Sequence, residues 1–576
     1  MALAIAAPAP AADMSRSFLF RAYGQELPSE RYIFALDAQA RPVRSTVTIL
    51  DPGVFRLETD ARAARLSLLW EIPGAGRLMT DVDLAPTPAG DSPPVNLNLA
   101  IAETEVATVV KEYERGLFDQ ADASAARVAA DLARLAGAPN LDPPTLAARA
   151  DALTFRAESL LDAAARGRAL LDISTHRKAD VEISVVDESG RPAAGATVTC
   201  RQTSSDFLFG SHPTPSDPQN PDEPSPLLRA GGPVFNCGLI IPATRLRGGV
   251  DGCPFTTEEL HALWSRTDKA VAMQTGLGHP PQCNVDLWLT DSIGPWLAEM
   301  AFPEQCRFVS DTIQEAVAHF ADRLDVYLVA NELHDWANSL DLSRDELVEI
   351  TRAACEGARQ GDPEGRTIVN ACLPWGGYLH WFGDTSLLTP YDYFAALIDA
   401  GVDFDIVGLQ TYMCVSVEFP ARSLYDMSLL LDRYAELGKP IWITEFCCPS
   451  EGSTWGAYGG EEWTEESQAE YAYWYYTIAM SKPQVESIRW FGLSDGSFPV
   501  ASGLLRRGGA PKPAYEALAR LRTEVETHTD RTGVVTFRGL LGDYEAEART
   551  AGGRSASAAF RLERGPGPTR IVLTIE

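Results

Sequence analysis

Apolar and polar positions alternate with a period of two from about Phe18 to Asp83, as in TVTIL (46–50), VFRLET (54–59) and ARLSLLW (64–70), with Pro and Gly between the runs. Period two marks strands with one buried face, so this stretch predicts a small antiparallel β-domain over 18–96. Within it, APTPAGDSPP (85–94) reads as a linker by composition. The texture then turns to Ala, Leu, Arg and Glu. Leu146, Ala150, Leu153, Ala157, Leu160 and Ala164 step by four and three, and Val128, Leu132 and Leu135 supply a matching stripe. Such a narrow seam predicts closely packed helices, a hairpin or small bundle over 97–176. VEISVVDESGRPAAGATVTC (181–200) returns to alternation and predicts lead-in strands over 177–206.

From 207 to 522 the pattern changes again. Eight near-continuous apolar runs, at 207–211, 233–240, 270–278, 325–332, 367–375, 404–412, 440–446 and 485–493, each precede a candidate helix. Runs without polar alternation suit strands covered on both faces, and eight β/α repeats in this length predict a closed parallel barrel. Alternation resumes at 533–548 and 555–576, which predicts a C-terminal β-module over 523–576. The Ala- and Pro-rich start, 1–17, reads as a disordered leader or a trimmed signal peptide. The expected fold class is therefore α/β, a (β/α)8 TIM barrel (207–522) with an N-terminal β-domain, a helical hairpin and a small C-terminal β-module.

Two of the barrel runs end in a carboxylate. In DVYLVANE (325–332) counting by twos puts Leu328, Ala330 and Glu332 on one face; in PIWITEF (440–446) it groups Ile441, Ile443 and Glu445. Barrel active sites lie at the C-terminal ends of the strands, so the fourth and seventh strands each present an inward carboxylate at the mouth. A lone glutamate there is as well explained by an ion pair or a wet rim. Two that converge on one cleft form a recognisable apparatus, in which one is kept protonated as general acid and the other attacks as an ionised nucleophile. Asn331 precedes the first and His334 follows it. Gln410 and Tyr412 end the sixth strand, Trp375 the fifth and Trp490 the eighth, and His279 in GLGHPP ends the expected third strand; these are candidate substrate contacts. Eleven of the 12 tryptophans fall in the barrel region, which suits rings stacked on sugars, although large barrel cores use Trp as well.

Charge narrows the partners. With 49 basic against 79 acidic side chains the net charge is −30, which repels phosphate backbones and excludes nucleic acid as an expected partner. No window holds the roughly 20 apolar residues of a membrane span, so a soluble protein is expected, cytoplasmic or exported. All 10 cysteines lie between Cys200 and Cys448 without a metal-like spacing, and disulfides or free thiols are equally open. A metal-dependent hydrolase or lyase would need clustered His ligands, and the eight histidines show no H-x-H or H-x-x-E arrangement. Adhesion or anchoring through the flanking β-domains is a further reading, weakened by their lack of aromatic clusters.

At these residues the sequence resembles glycoside hydrolase family 10. VANE resembles the family's acid/base motif, TEF in PIWITEF its nucleophile motif, VGLQTY its sixth strand, FGLSDGSF (491–498) its eighth and GLLRRGGAPKPAYEAL (503–518) its closing loop and last helix. The likeness covers about 200–522. It implies a retaining enzyme that cleaves β-glycosidic bonds by double displacement, with Glu332 as acid/base, Glu445 as nucleophile, Asn331 as donor to the sugar 2-hydroxyl, a carbohydrate substrate and no metal or organic cofactor. The sequence departs from the family where LIIPATRLRGG and GHPPQCN stand after the second and third strands, and where Tyr412 replaces a strand-six His. Those positions normally grip sugars on the non-reducing side; the resemblance implies a xylanase-like enzyme, and the departures widen the implied substrate to a related β-glycan or a smaller β-glycoside. The alternatives are a non-catalytic glycan-binding protein on the same barrel and an exo-acting β-glycosidase on small glycosides.

Overall fold

A computed structural model describes residues 16–575 apart from 119–122, 139, 212–222, 233, 247–253, 291–292, 335–336, 383–387 and 497–500. The expected leader thus lies outside the described residues except for Arg16 and Ser17, which already belong to a strand, Arg16–Arg21.

The eight barrel strands are β1 (Leu208–Ser211), β2 (Gly238–Ile240), β3 (Pro281–Leu287), β4 (Val326–Asn331), β5 (Arg366–Ala371), β6 (Ile406–Gln410), β7 (Ile441–Phe446) and β8 (Val485–Trp490). All pair in parallel in the order β1-β8-β7-β6-β5-β4-β3-β2, and a bridge between Gly210 and Cys237 closes the ring. Two expected strands are corrected. The run at 270–278 lies mostly in a helix, Thr257–Gly276, started by a capping box between Thr256 and Glu259; the third strand follows it. The run at 233–240 contributes only its last three residues, Gly238–Ile240.

The flanks are tightly built. Residues 90–96, of which 90–94 were expected in a linker, form a strand beside Arg16–Arg21 in a four-stranded sheet. A second N-terminal sheet contains Ile33–Leu36, Pro42–Val43, Arg65–Ile72 and Gly76–Asp83, and takes its edge strand, Ala457–Tyr458, from the barrel loop after β7. Among its described residues the helical region holds three helices, Leu97–Glu114, Ser124–Ala136 and the 34-residue Pro143–His176. The lead-in strands and the C-terminal strands form one unit: Lys178–Asp187 lies between Val534–Leu540 and Thr569–Ile575, and Thr197–Ser205 between Glu524–His528 and Gly542–Arg549. Their two sheets enclose a separate small core around Val181, Ile183, Val198 and Tyr544. No disulfide joins any described cysteine, and no described helix is long and apolar enough to cross a membrane.

Candidate active site

Neither carboxylate reaches the mouth by simple alternation. At the base of the barrel Trp442 joins Leu328, Ile368 and Ile406 in the interior, whereas Ile441 and Ile443 pack outwards into the main core. Counting by twos along β7 therefore puts Glu445 on the outer face with the isoleucines, which corrects the expectation that all three point inwards. The ladder slips between the two strands: Leu409 pairs with Ile443 but Gln410 pairs with Glu445, so Thr444 is an extra residue. A bulge of this kind re-aims the next side chain, here turning Glu445 inwards beside Gln410. A second bulge sits in β4, where Leu328 pairs with Ile368 and Ala330 with Val369, leaving Val329 over. It moves Ala330 to the outer core and brings Asn331 inside beside Asn370. Glu332 then leaves the strand in the left-handed region, at φ 57°, while its N–H donates to the Asn370 carbonyl at 2.9 Å. A left-handed glutamate costs roughly 1–3 kcal/mol, and such strain collects at functional sites.

The inner faces of β4 to β7 share one polar network. Asn370 Nδ2 donates to Asn331 Oδ1 at 2.7 Å, and Thr444 Oγ1 donates to Asn370 Oδ1 at 2.6 Å. Gln410 Nε2 donates to Glu332 Oε1 at 2.5 Å, and Trp288 Nε1 donates to Glu332 Oε2 at 2.9 Å. The Tyr412 hydroxyl donates to Glu445 Oε2. Gly408 permits this packing, since a Cβ there would stand 2.5 Å from Asn370 Oδ1. Gln410 is thus the hinge of the pair: its amide holds one carboxylate and its backbone is registered against the other.

Burial pushes Glu445 up to about 7, with Asp286 adding to the rise; the Tyr412 hydroxyl and the Arg489 guanidinium oppose it. Arg489 fills the barrel interior, where Nη1 donates to the Gly238 carbonyl at 2.6 Å and Nη2 to Gln282 Oε1 at 2.9 Å. Burial, then the neighbouring Glu445, raises the Tyr412 phenol well above its ordinary value, so it stays a donor. The buried Glu332 accepts two N–H bonds, which suits its anion. Half a turn of the Gln410 amide presents Oε1 instead, and a protonated Glu332 can then donate to it with no shift of Glu332 or of the backbone.

Of the nine residues read from sequence, the structure gathers five at the mouth: Glu332, Glu445, Asn331, Gln410 and Tyr412. The other four are elsewhere. His279 lies before β3, at the opposite end of the barrel from the mouth, because the helix ending at Gly276 occupies the run read as the third strand. Trp490 is fully buried, packs against Phe446 and Tyr476, and donates its indole N–H to the Ser502 carbonyl. The inward residue at the end of β8 is Arg489 instead. His334 is buried against the Tyr393 ring with centroids 5.6 Å apart. Trp375 is half-buried, and the Arg422 guanidinium lies 4.9 Å from its ring centre. Trp288, Asn370 and Arg489 were not anticipated. Asn370 had a visible signal, a lone amide inside the apolar run TIVNACL; Trp288 was hidden by the misplaced third strand.

Residues 287–521 match the model of glycosyl hydrolase family 10. This segment is family 10-like. Similar solved structures include a family 10 endoxylanase from a sugarcane soil metagenome, 18% identical over 55% of this chain and 98% of that one with a TM-score of 0.43. A family 10 protein from Paenibacillus barcinonensis is 18% identical over 55% and 94%, with a TM-score of 0.42. Among curated relatives, the anti-sigma-I factor RsgI6 of Acetivibrio thermocellus is 24% identical over 420 residues, 70% of this chain. The chain spans about half of that relative's length, 49%. The family 10-like segment begins at the end of β3 and contains both carboxylates.

Proposed function

We propose that this protein is a retaining glycoside hydrolase that cleaves a β-linked glycan, xylan or a close relative, by double displacement. The observation that carries the reading is the joint held by Gln410, whose amide binds Glu332 while its backbone pairs with Glu445, so that two carboxylates from strands distant in sequence serve one mouth. Glu445 attacks the anomeric carbon as Glu332 protonates the departing glycosidic oxygen. Glu332 then takes a proton from water, which releases the sugar with its anomeric configuration retained.

The remaining groups support these steps. Tyr412 fixes one oxygen of Glu445 and leaves the other to the sugar. Trp288 and Gln410 clamp both oxygens of Glu332, so its carboxyl keeps one orientation as its proton leaves and returns. Arg489, deeper in the barrel, favours the ionised form of Glu445. Because a nucleophile must be ionised, the value near 7 places the acid limb of kcat/KM close to neutrality.

The test is a pair of substitutions, Glu332→Gln and Glu445→Gln, assayed on an aryl β-glycoside. Each is expected to lose several orders of magnitude in kcat while the folded state persists, and azide is expected to restore part of the turnover of Glu445→Ala. Wild-type-like turnover by either Gln variant contradicts the proposal.

A further inference from the structure

Three loops that leave the barrel mouth, after β5, β6 and β7, are gripped by the N-terminal β-domain. Ala457–Tyr458 pairs with Gly76 and Arg77 as an added strand, and Met79 N donates to the Ala421 carbonyl at 2.9 Å. Phe34 stacks on His380 with ring centres 4.4 Å apart. Tyr32, Phe34 and Met79 share an apolar cluster with Val417 and Trp455 from the loops. A domain that reads as an appendage in sequence therefore forms part of the wall beside the candidate active site.

Within this wall is a small, solvent-connected pocket of about 30 Å³, lined by Arg31, Tyr32, Trp375, Glu418 and Arg422 among others. Two rings, Phe419 and Tyr412, lie between it and Glu445. Phe419 meets Tyr412 edge-on at 5.4 Å and packs on the far side against Leu373 and Tyr378, which line the pocket. Tyr32 is only 7% exposed, and its hydroxyl has no hydrogen-bond partner among the described residues. Arg422 Nε is likewise buried without one. In a chain of net charge −30 the lining is nevertheless positive. Arg31 and Arg422 stand against one acid, Glu418, which already binds the Ser416 hydroxyl at 2.5 Å. Arg77 acts on Tyr32 as a further nearby cation, and burial keeps His380 neutral by holding it near 4. Asp426 and Asp81 act on Arg422 as well, and neither lines this pocket.

We infer that this junction pocket is a subsite for the carboxylate of an acidic sugar, a uronic acid carried by the β-glycan close to the bond that is cleaved. The inference rests on the proposed function for its location and deepens it by naming the substrate class. A carboxylate is the group that satisfies both orphan donors at once, with Tyr32 O–H and Arg422 Nε–H as charge-assisted partners and Arg31 at the rim. A neutral hydroxyl would leave the positive lining unanswered.

The experiment uses the full chain carrying Glu445→Gln, so that binding is read without turnover. Calorimetry compares a xylo-oligosaccharide bearing one glucuronic acid with the same compound after reduction of its carboxyl to an alcohol, and methyl glucuronide with methyl glucoside. One charged hydrogen bond corresponds to about tenfold or more, so the acid forms are expected to bind about tenfold tighter. Tyr32→Phe, which keeps the packed ring, and Arg31→Ala at the exposed rim are each expected to cut that ratio to about threefold or less. Equal affinity for acid and reduced forms, binding of neither, or an unchanged ratio in Tyr32→Phe overturns the inference. Failure of the proposed function is separate, since it appears as no hydrolysis of any neutral β-glycoside by the wild-type protein.

Discussion

Removal of the Tyr412 hydroxyl isolates the group that sets the charge of Glu445. That hydroxyl donates to Glu445 Oε2, and it is the largest influence opposing the rise caused by burial. A hydrogen bond to a charged acceptor contributes about 1.5–3 kcal/mol. At 1.36 kcal/mol per pKa unit, its loss raises Glu445 by about one to two units. Starting from about 7, the acid limb of kcat/KM in Tyr412→Phe is expected near pH 8–9. The assay is kcat/KM on an aryl β-glycoside across about pH 5–10, with a melting curve at each end to confirm that both proteins stay folded. Near pH 6 the variant should be about 10–100-fold slower, and above about pH 9 the gap should narrow to a small factor. An acid limb that stays in place, or moves to lower pH, refutes the argument that this bond stabilises an ionised nucleophile.

Other substitutions probe the same site from different sides. Glu445 carries a folded-state value above its ordinary 4.5, so the folded protein holds that proton more tightly than the unfolded chain. Its contribution to stability is full below about pH 4.5, declines as pH rises to about 7 and is level beyond. Glu445→Gln is therefore expected to gain up to about 3 kcal/mol at pH 8 and almost nothing at pH 4 in denaturation experiments; a gain independent of pH counts against the assigned burial. Gln410→Leu keeps the volume but removes the 2.5 Å bond to Glu332, and kcat is expected to fall by about 10–100-fold. Retention of kcat within about threefold would show that Gln410 does not position the acid. His279→Ala is expected to stay within about twofold of wild-type kcat/KM, because its place beneath the barrel keeps it from substrate. A large loss of kcat/KM with an unchanged melting curve would restore His279 to the site.

The barrel was legible because covered parallel strands need unbroken apolar runs, and VYLVA and PIWI state that need directly. The carboxylates were legible because ionisable groups at the ends of such runs carry a cost that a site explains. Their facing was reached for the wrong reason. Alternation alone sends Glu445 outwards with Ile443, and two bulges, at Val329 and Thr444, supply the turn. A bulge leaves no composition signal in a strand made of β-branched residues, so strand parity is readable only up to the slip. The third strand was misplaced because VAMQ in a helix and VAMQ in a strand are equally apolar; the capping box at Thr256 and Glu259 was the better guide. The sandwich that unites residues 178–205 with 524–575 was not legible, since pairing between chain ends depends on contacts no local pattern encodes.

The most direct test of the account is covalent capture. An activated 2-fluoro β-glycoside slows both steps and lets a glycosyl-enzyme accumulate, and peptide mass spectrometry then locates the sugar. One label per chain is expected, on the peptide containing Glu445, and no label in Glu445→Gln. Attachment to Glu332, or release of an inverted product with no covalent adduct while the aryl glycoside is hydrolysed, would contradict it.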